Sequence, residues 1–226
     1  MCGRFALSKS DRIDWAQFGV HRGPQLPPHW NLGPGRPIAV VRSGEAEVEV
    51  AMLRWGLIPY WSKDPSIGHR LANARAETAH DKPAFRAAFQ KRRCLIPADG
   101  FYEWQLVAGA AKKQPWFFAR RDGAVFALAG LWERWQPPAG DAVETCTVLT
   151  TGANALMQPI HDRMPVVIPP ANYAAWLSPE TPSGDARALM PAWEASEWTT
   201  HRVSLRVNSP GTDDAACVAE TADGRG

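Results

Sequence analysis

The 226-residue sequence has no apolar run long enough to cross a membrane, which takes about 20 consecutive apolar residues. The N-terminal stretch also lacks the apolar centre of a secretory signal, because charged side chains interrupt it at Lys9, Asp11, Arg12 and Asp14. We therefore expect neither a membrane span nor export. The sequence predicts a cytoplasmic protein.

Cysteine is scarce and dispersed. The four cysteines are Cys2, Cys94, Cys146 and Cys217, with no C-x-x-C pair and no tight group of cysteine and histidine. This pattern argues against a zinc site and a disulfide framework, and we expect neither a metal nor a cofactor. Cys94 and Cys146 lie in apolar runs and are interpreted as small core residues. Cys2 differs, because removal of Met1 would give it a free α-amine beside its thiol.

Internal repeats, linkers, coiled-coil heptads and regular alternation of strands with helices are also missing. We therefore expect a monomer with one domain over residues 1–208, followed by a mobile tail over 209–226. Short β-branched or aromatic runs that end at Pro, Gly, Asp or Ser predict strands within 36–43, 47–58, 92–105, 114–121, 124–135, 144–151 and 164–170.

Helical spacing is limited to four short segments, at residues 8–18, 82–90, 169–177 and 183–193. Strands thus outnumber helices. The sequence predicts an α+β single domain, with a mainly antiparallel curved sheet or open barrel and short peripheral helices.

Charge is unevenly distributed along the chain. Residues 1–120 contain 18 Lys and Arg against 10 Asp and Glu, whereas residues 121–226 contain 7 against 13. A basic first half favours a polyanionic partner such as nucleic acid, although a solvated basic face explains it equally well. The 11 tryptophans fit stacking on unpaired bases, but most are interpreted as core residues.

Five stretches are more polar than a core strand or a plain loop requires: "MCGRF" at 1–5, "NARAET" at 73–78, "PADGFYEW" at 97–104, "LTTGAN" at 149–154 and "IHDRMP" at 160–165. Each has a structural explanation. A small residue at position 2 permits Met1 removal, Glu103 fits the solvent face of a strand, and His161 fits a structural histidine. Taken singly, none establishes a site.

Together with "WGLIPYW" at 55–61, "CLIPADGFYEW" at 94–104 and "AGLWE" at 129–133, these phrases resemble the SOS response-associated peptidase (SRAP) family. Its members crosslink covalently to abasic sites in single-stranded DNA. The resemblance is dense from Cys2 to about Pro170 and weaker afterwards. The stretch at 30–37 departs from the family pattern.

The resemblance implies a role for each matching residue. Cys2 is similar to the family's nucleophile, exposed as the mature N-terminus. Asn73 matches the asparagine that positions it, Glu103 the acid/base glutamate, and His161 the active-site histidine. The residues that resemble the family's DNA contacts are Arg4, Trp61, Arg75, Thr150 and Arg163. The implied partner is single-stranded DNA with abasic sites, which would place the protein at the nucleoid when bound. The sequence identifies no replication-fork partner.

Three other functions remain open from the residues alone. Cys2 and His161 would also suit an N-terminal-nucleophile cysteine peptidase, in which the α-amine stays free. A DNA-binding module without chemistry would use only the basic half and the tryptophans. An abasic-site lyase would pass through the same imine but break the strand. Covalent crosslinking through a thiazolidine at Cys2 is the hypothesis that the resemblance favours.

Overall fold

The structure is a computed structural model and describes residues 2–221. Its strands, β1 to β13 in chain order, are Arg4–Leu7, His29–Leu32, Pro37–Ser43, Val48–Trp55, Asn73–Arg75, Arg93–Ala98, Gly100–Gln105, Gln114–Arg120, Phe126–Trp135, Val143–Gly152, Arg163–Pro165, Val167–Ile168 and Trp198–Arg202. The helices α1 to α3 are Arg86–Lys91, Tyr173–Leu177 and Ser183–Ala188. The prediction of a mainly antiparallel curved β-structure with short peripheral helices is confirmed. None of the helices in the described range is long and apolar enough to cross a membrane.

Five strands close into a barrel. Their order is β10, β4, β3, β6 and β9, and β9 pairs with β10 to complete the ring. Within this ring only the β10–β4 pair is parallel. Its core includes fully buried Val40, Leu53, Ile96, Leu128 and Val148, which the strand register places on one face. Gly130 is required on β9, because a Cβ atom there would lie 2.8 Å from the sulfur of Cys94.

A five-stranded antiparallel sheet, in the order β13, β8, β7, β1, β2, packs beside the barrel. Phe5 on β1 lies against Trp55 on β4, with ring centroids 5.3 Å apart. This contact joins sheet and barrel into one core. β1 lies between β7 and the edge strand β2, so that the sheet holds the N-terminal segment beside β7.

The helix predicted at residues 8–18 is wrong, since the structure has only a 3₁₀ turn at Ser10–Arg12. Ser8 donates its hydroxyl hydrogen to Asp99 at 3.0 Å and caps no helix. The apolar spacing of the segment instead reflects packing on the core, where the Phe18 and Tyr173 rings lie 4.9 Å apart. A polar contact with a distant loop therefore overrides the local helical pattern.

The described part of the predicted mobile tail, residues 209–221, is anchored to β2. The Asp213 carboxylate accepts two backbone N–H groups of β2 and pairs with His29 at 2.8 Å and Arg36 at 2.9 Å. These four partners lower the pKa of Asp213 to about 2 against the opposing effect of burial. The polarity of the segment gave no sign of this anchor. Residues 222–226 lie outside the described range.

Candidate active site

Cys2 lies two residues before β1, which is an inner strand of the five-stranded sheet. β1 pairs antiparallel with β7, and Arg4 stands opposite Tyr102. Continued towards the N-terminus, this register brings the chain alongside Glu103. The Cys2 side chain is fully buried, and burial together with the charge of Glu103 raises the pKa of its thiol well above the ordinary value. The thiol is therefore protonated and a weak nucleophile at neutral pH.

Glu103 is a buried carboxyl group with an acidity suited to proton transfer. Its side chain is 2% exposed, which excludes the interpretation that it lies on a solvent face. Burial raises its pKa to about 7, and the charge of Asp162 acts in the same direction. Near pH 7 the group is divided between acid and carboxylate, so that it can both donate and accept a proton.

His161 follows a turn that is tied to β7, because Gln105 donates from Nε2 to the carbonyl of Pro159 at 3.0 Å. The His161 Nδ1 accepts the backbone N–H of Arg163 at 3.0 Å, which leaves the hydrogen of the neutral ring on Nε2. Asp162 Oδ1 lies 2.9 Å from the same Nδ1 and can accept from it once the ring is protonated. Burial lowers the pKa of His161, so the neutral ring is favoured.

The barrel edge at β5 presents Asn73 and Arg75 on one face, two residues apart. The Oδ1 of Asn73 is buried and accepts no hydrogen bond from the described residues, a costly state unless a ligand donates to it. Arg75 is exposed, and no ion pair joins it to the described residues. A groove of about 450 Å³ lies beside them, lined also by Trp61, Lys82 and Phe85. Trp61 is 49% exposed at this groove.

Arg4 is held from within the protein. Its Nη1 donates to Asn31 Oδ1 at 2.8 Å and to the carbonyl of Val207 at 2.9 Å. These bonds join β1 to β2 and to the C-terminal segment. A phosphate contact by Arg4 therefore stays a prediction, and the bonds in the structure assign it a structural role first.

Arg163 and Thr150 lie between two parts of the site. One is the corner formed by Cys2, Glu103 and His161, and the other is the barrel edge at β5. β10 pairs with β5 on one side and with β11 on the other, so that Thr150 stands opposite both Arg75 and Pro165. Thr150 is fully buried, and its carbonyl accepts a hydrogen bond from Arg163 Nη2 at 2.6 Å. Arg163 also forms an ion pair with Glu77 through two bonds of 2.8 Å.

Relatives of known sequence and structure span nearly the whole chain. The sequence model described as SOS response associated peptidase (SRAP) matches residues 1–210. This chain belongs to the SRAP family. It is 40% identical over 215 residues to the abasic site processing protein YoqW of Bacillus subtilis, a match that covers 93% of this chain and 95% of that protein. It is 32% identical over 265 residues to the abasic site processing protein HMCES of Xenopus tropicalis, covering 97% and 78% respectively. A crystal structure of a Bacteroides thetaiotaomicron protein has a TM-score of 0.86 at 25% identity, covering 97% and 100%.

In this SRAP chain the predicted site residues form two groups. Cys2, Glu103 and His161 gather at β7 and the turn before β11, whereas Asn73, Arg75 and Trp61 line the barrel edge and its groove. Their individual roles stay predictions. Within residues 2–221, no three His, Cys, Asp or Glu side chains are placed to hold a metal ion.

Sequence reasoning assigned no role to three residues that the structure places in or near this SRAP site. Glu77 pairs with Arg163, Lys82 lines the groove, and Gln105 ties β7 to the turn before His161. Glu77 belongs to the polar stretch "NARAET", but its partner lies 86 residues away in the chain. Only the pairing of β5 and β11 with β10 reveals that contact.

Proposed function

We propose that this SRAP protein binds single-stranded DNA and forms a covalent thiazolidine between Cys2 and the aldehyde of an abasic site. Names of relatives in bacteria and vertebrates support a reaction at abasic sites. The observation that carries the proposal is the placement of a buried Cys2 next to a carboxyl group whose pKa is about 7. We further propose that it acts as a monomer in the cytoplasm.

The reaction begins with loss of Met1, which frees the α-amine of Cys2. The neutral amine attacks the aldehyde carbon of the ring-opened sugar and forms a carbinolamine. Loss of one water gives a Schiff base, and the Cys2 sulfur then adds to the same carbon while its proton moves to the nitrogen. The product is a five-membered ring that joins protein and DNA, with one water released overall.

The order of the two attacks is set by acidity. An α-amine has an ordinary pKa of about 8, so a useful fraction is neutral at pH 7. Burial and Glu103 instead keep the Cys2 thiol protonated. The amine therefore attacks first, and the thiol reacts after the Schiff base has formed. Ring closure is then intramolecular and gains the high effective concentration that proximity brings.

Glu103 moves the protons in this scheme. As an acid it protonates the hydroxyl group that leaves the carbinolamine, and as a carboxylate it carries the thiol proton to the nitrogen as the ring closes. His161 is neutral and carries its hydrogen on Nε2, so that it can donate a hydrogen bond to a developing oxyanion while Nδ1 stays on Arg163. Neither role requires a metal or a cofactor.

DNA binding is assigned to the β5 edge. Exposed Arg75 is free to hold a phosphate, and Trp61 presents an aromatic face on which a base can stack. Asn73 offers its buried acceptor oxygen to the α-amine of Cys2 or to the substrate. The basic first half of the chain supports attraction of a polyanion to this face.

The test mixes protein whose Met1 is shown by mass to be absent with a single-stranded oligonucleotide carrying one abasic site. A denaturing gel and an intact mass follow, with Cys2→Ala as the blocked variant and Cys217→Ala as the matched control thiol. We expect an adduct of protein plus DNA minus one water in the wild type and in the control only.

Other products would assign other functions. Strand breaks without a lasting adduct would assign the protein as an abasic-site lyase that shares the Schiff base. No adduct, with the oligonucleotide intact, would overturn the proposal and leave the peptidase hypothesis, tested next on amide substrates. Crosslinking at the wild-type rate with Met1 still attached would refute the amine mechanism.

A further inference from the structure

The Glu77 carboxylate holds the Arg163 side chain between the two groups of site residues. Glu77 Oε1 and Oε2 each accept a hydrogen bond of 2.8 Å from Nη1 and Nη2 of Arg163. Nη2 also donates to the carbonyl of Thr150 at 2.6 Å, and Thr151 donates its hydroxyl hydrogen to Glu77 at 3.3 Å. The chain after β5, the end of β10 and the start of β11 therefore meet at one guanidinium.

This grip limits what Arg163 can offer to DNA. A guanidinium has five N–H groups, of which Glu77 occupies two and the Thr150 carbonyl a third. The Nε group is buried and has no acceptor among the described residues. One N–H of Nη1 is left for a phosphate. Arg163 can thus give one directed hydrogen bond but not a two-pronged contact.

Glu77 stays ionised throughout the neutral range, because its bonds to Arg163 lower the pKa of its carboxyl group. The pair has a net charge near zero and adds little long-range attraction for DNA. Its Glu77 side chain is 48% exposed, however, whereas that of Arg163 is 15% exposed. A negative charge thus lies on the proposed DNA-binding face.

The effect of the ion pair reaches His161 through the backbone. Arg163 donates its own N–H to His161 Nδ1 at 3.0 Å, so the residue that Glu77 grips also sets the hydrogen position on the histidine ring. On β10, Thr150 stands opposite Arg75, whose guanidinium is exposed. The Glu77–Arg163 ion pair thus lies between the Cys2 corner and the β5 edge.

We propose that Glu77 is a positioning residue, which holds Arg163 so that its single free N–H faces DNA and its backbone N–H keeps His161 in place. This inference rests on the proposed function. A positioning role and simple electrostatics predict opposite effects of Glu77 substitution on DNA affinity. Removal of one negative charge from a DNA-binding face should strengthen binding, whereas loss of a positioning residue should weaken it.

The test measures the noncovalent Kd for an abasic oligonucleotide with Cys2→Ala protein, together with the adduct rate of the Cys2 protein. Glu77→Gln keeps one acceptor oxygen but places an NH₂ donor against Arg163 Nη2. We expect its Kd to rise about tenfold and its adduct rate to fall by a similar factor, the size of a lost charge-assisted bond. Tighter or unchanged binding would overturn the proposal.

Asp81→Asn is the matched control. Asp81 follows β5 in the same segment, is 75% exposed at its side chain, and also loses one negative charge on substitution. We expect its Kd to be unchanged or slightly lower. An equal loss of binding in both variants would show that Glu77 has no special role.

Two further measurements separate positioning from folding and from the proposed function. Glu77→Gln should lower the melting temperature, because it removes the ion pair. The double variant Glu77→Arg, Arg163→Glu should restore the melting temperature but not DNA binding. In the absence of DNA, NMR should show slow rotation of the Arg163 guanidinium in the wild type and fast rotation in Glu77→Gln. Identical NMR signals in the two proteins would show that Glu77 does not hold the Arg163 side chain. A wild type that forms no adduct would refute the proposed function, while the NMR result would still decide whether Glu77 holds Arg163.

Discussion

The corner around Cys2 and Glu103 and the edge around Arg75 and Trp61 belong to one site but differ in their contact with solvent. The corner is buried, and desolvation shifts the acidity of both of its ionisable groups. The edge is exposed, and its arginine has no ion pair among the described residues and lines the same groove as an aromatic ring. Burial therefore prepares groups for proton transfer, whereas exposure prepares groups for binding.

This difference predicts that substitutions in the corner change the rate of reaction, whereas substitutions at the edge change affinity. A substitution within the corner or within the edge that altered both equally would break the comparison. Arg163 lies between the two groups. Of the predicted DNA-contacting arginines, it is the one that pairs with a carboxylate among the described residues.

The largest effect is expected from Glu103→Gln on the rate of adduct formation. The amide cannot donate or accept the reaction protons, so the rate should fall about 100-fold or more. In the wild type the rate should rise with pH as the amine loses its proton and fall above about pH 7 as Glu103 ionises. The variant should lose the falling limb, which a rate series from about pH 5 to about pH 9 measures. An unchanged rate and profile would remove Glu103 from the chemistry.

The same substitution should also change how the free energy of unfolding depends on pH. The pKa of Glu103 rises from 4.5 to about 7 on folding, so the folded state binds an extra proton between these values. The stabilisation is complete below pH 4.5 and is lost as the pH rises through about 7, a difference of about 3 kcal/mol for the wild type. Urea unfolding of Glu103→Gln should show none of this dependence. Parallel stability curves for the two proteins would show that Glu103 is not desolvated.

At the edge, Arg75→Ala should weaken noncovalent binding about tenfold at low salt and leave the adduct rate at saturating DNA nearly unchanged. The slope of log K against log salt should decrease by about 1, because one phosphate contact is lost. Arg187→Ala, an exposed arginine on α3, is the control with an unchanged slope. If both variants have the wild-type slope, Arg75 does not contact a phosphate.

The smallest effect is expected from Trp61→Ala. Loss of one stacking surface should raise the Kd about fivefold with no change in salt slope, since stacking involves no phosphate. Trp61→Phe should restore most of the affinity, because it keeps an aromatic face. Fluorescence titration with an abasic oligonucleotide measures both variants, and equal affinity of all three proteins would exclude stacking at this position.

Much of the architecture could be predicted from the sequence because strands in this protein are short, apolar and sharply ended. Runs such as residues 36–43 and 124–135 carry their pattern locally, and the structure places β3 and β9 there. The prediction of a helix at residues 8–18 was wrong because Ser8 forms a hydrogen bond with Asp99, 91 positions further along the chain. Local patterns contain no information about such a partner.

The candidate site could be predicted from the sequence as a set of residues only. Family phrases predict Cys2, Asn73, Glu103 and His161 as site residues, but no phrase shows that Glu103 is 2% exposed or that the buried Oδ1 of Asn73 accepts no hydrogen bond from the described residues. Solvent exposure depends on how the sheet and barrel pack. The partners of Arg4 and Arg163 likewise depend on strand order, which the sequence does not state.

The bond from Arg4 to the carbonyl of Val207 spans 203 positions in the chain. Synthesis runs from the N-terminal to the C-terminal side, so the segment that carries Cys2 is made well before this partner of β1. β1 therefore cannot complete this contact until residue 207 has been made. A fragment that stops before Val207 would contain Cys2, Asn73, Glu103 and His161 but would leave β1 without the contact that finishes its anchorage.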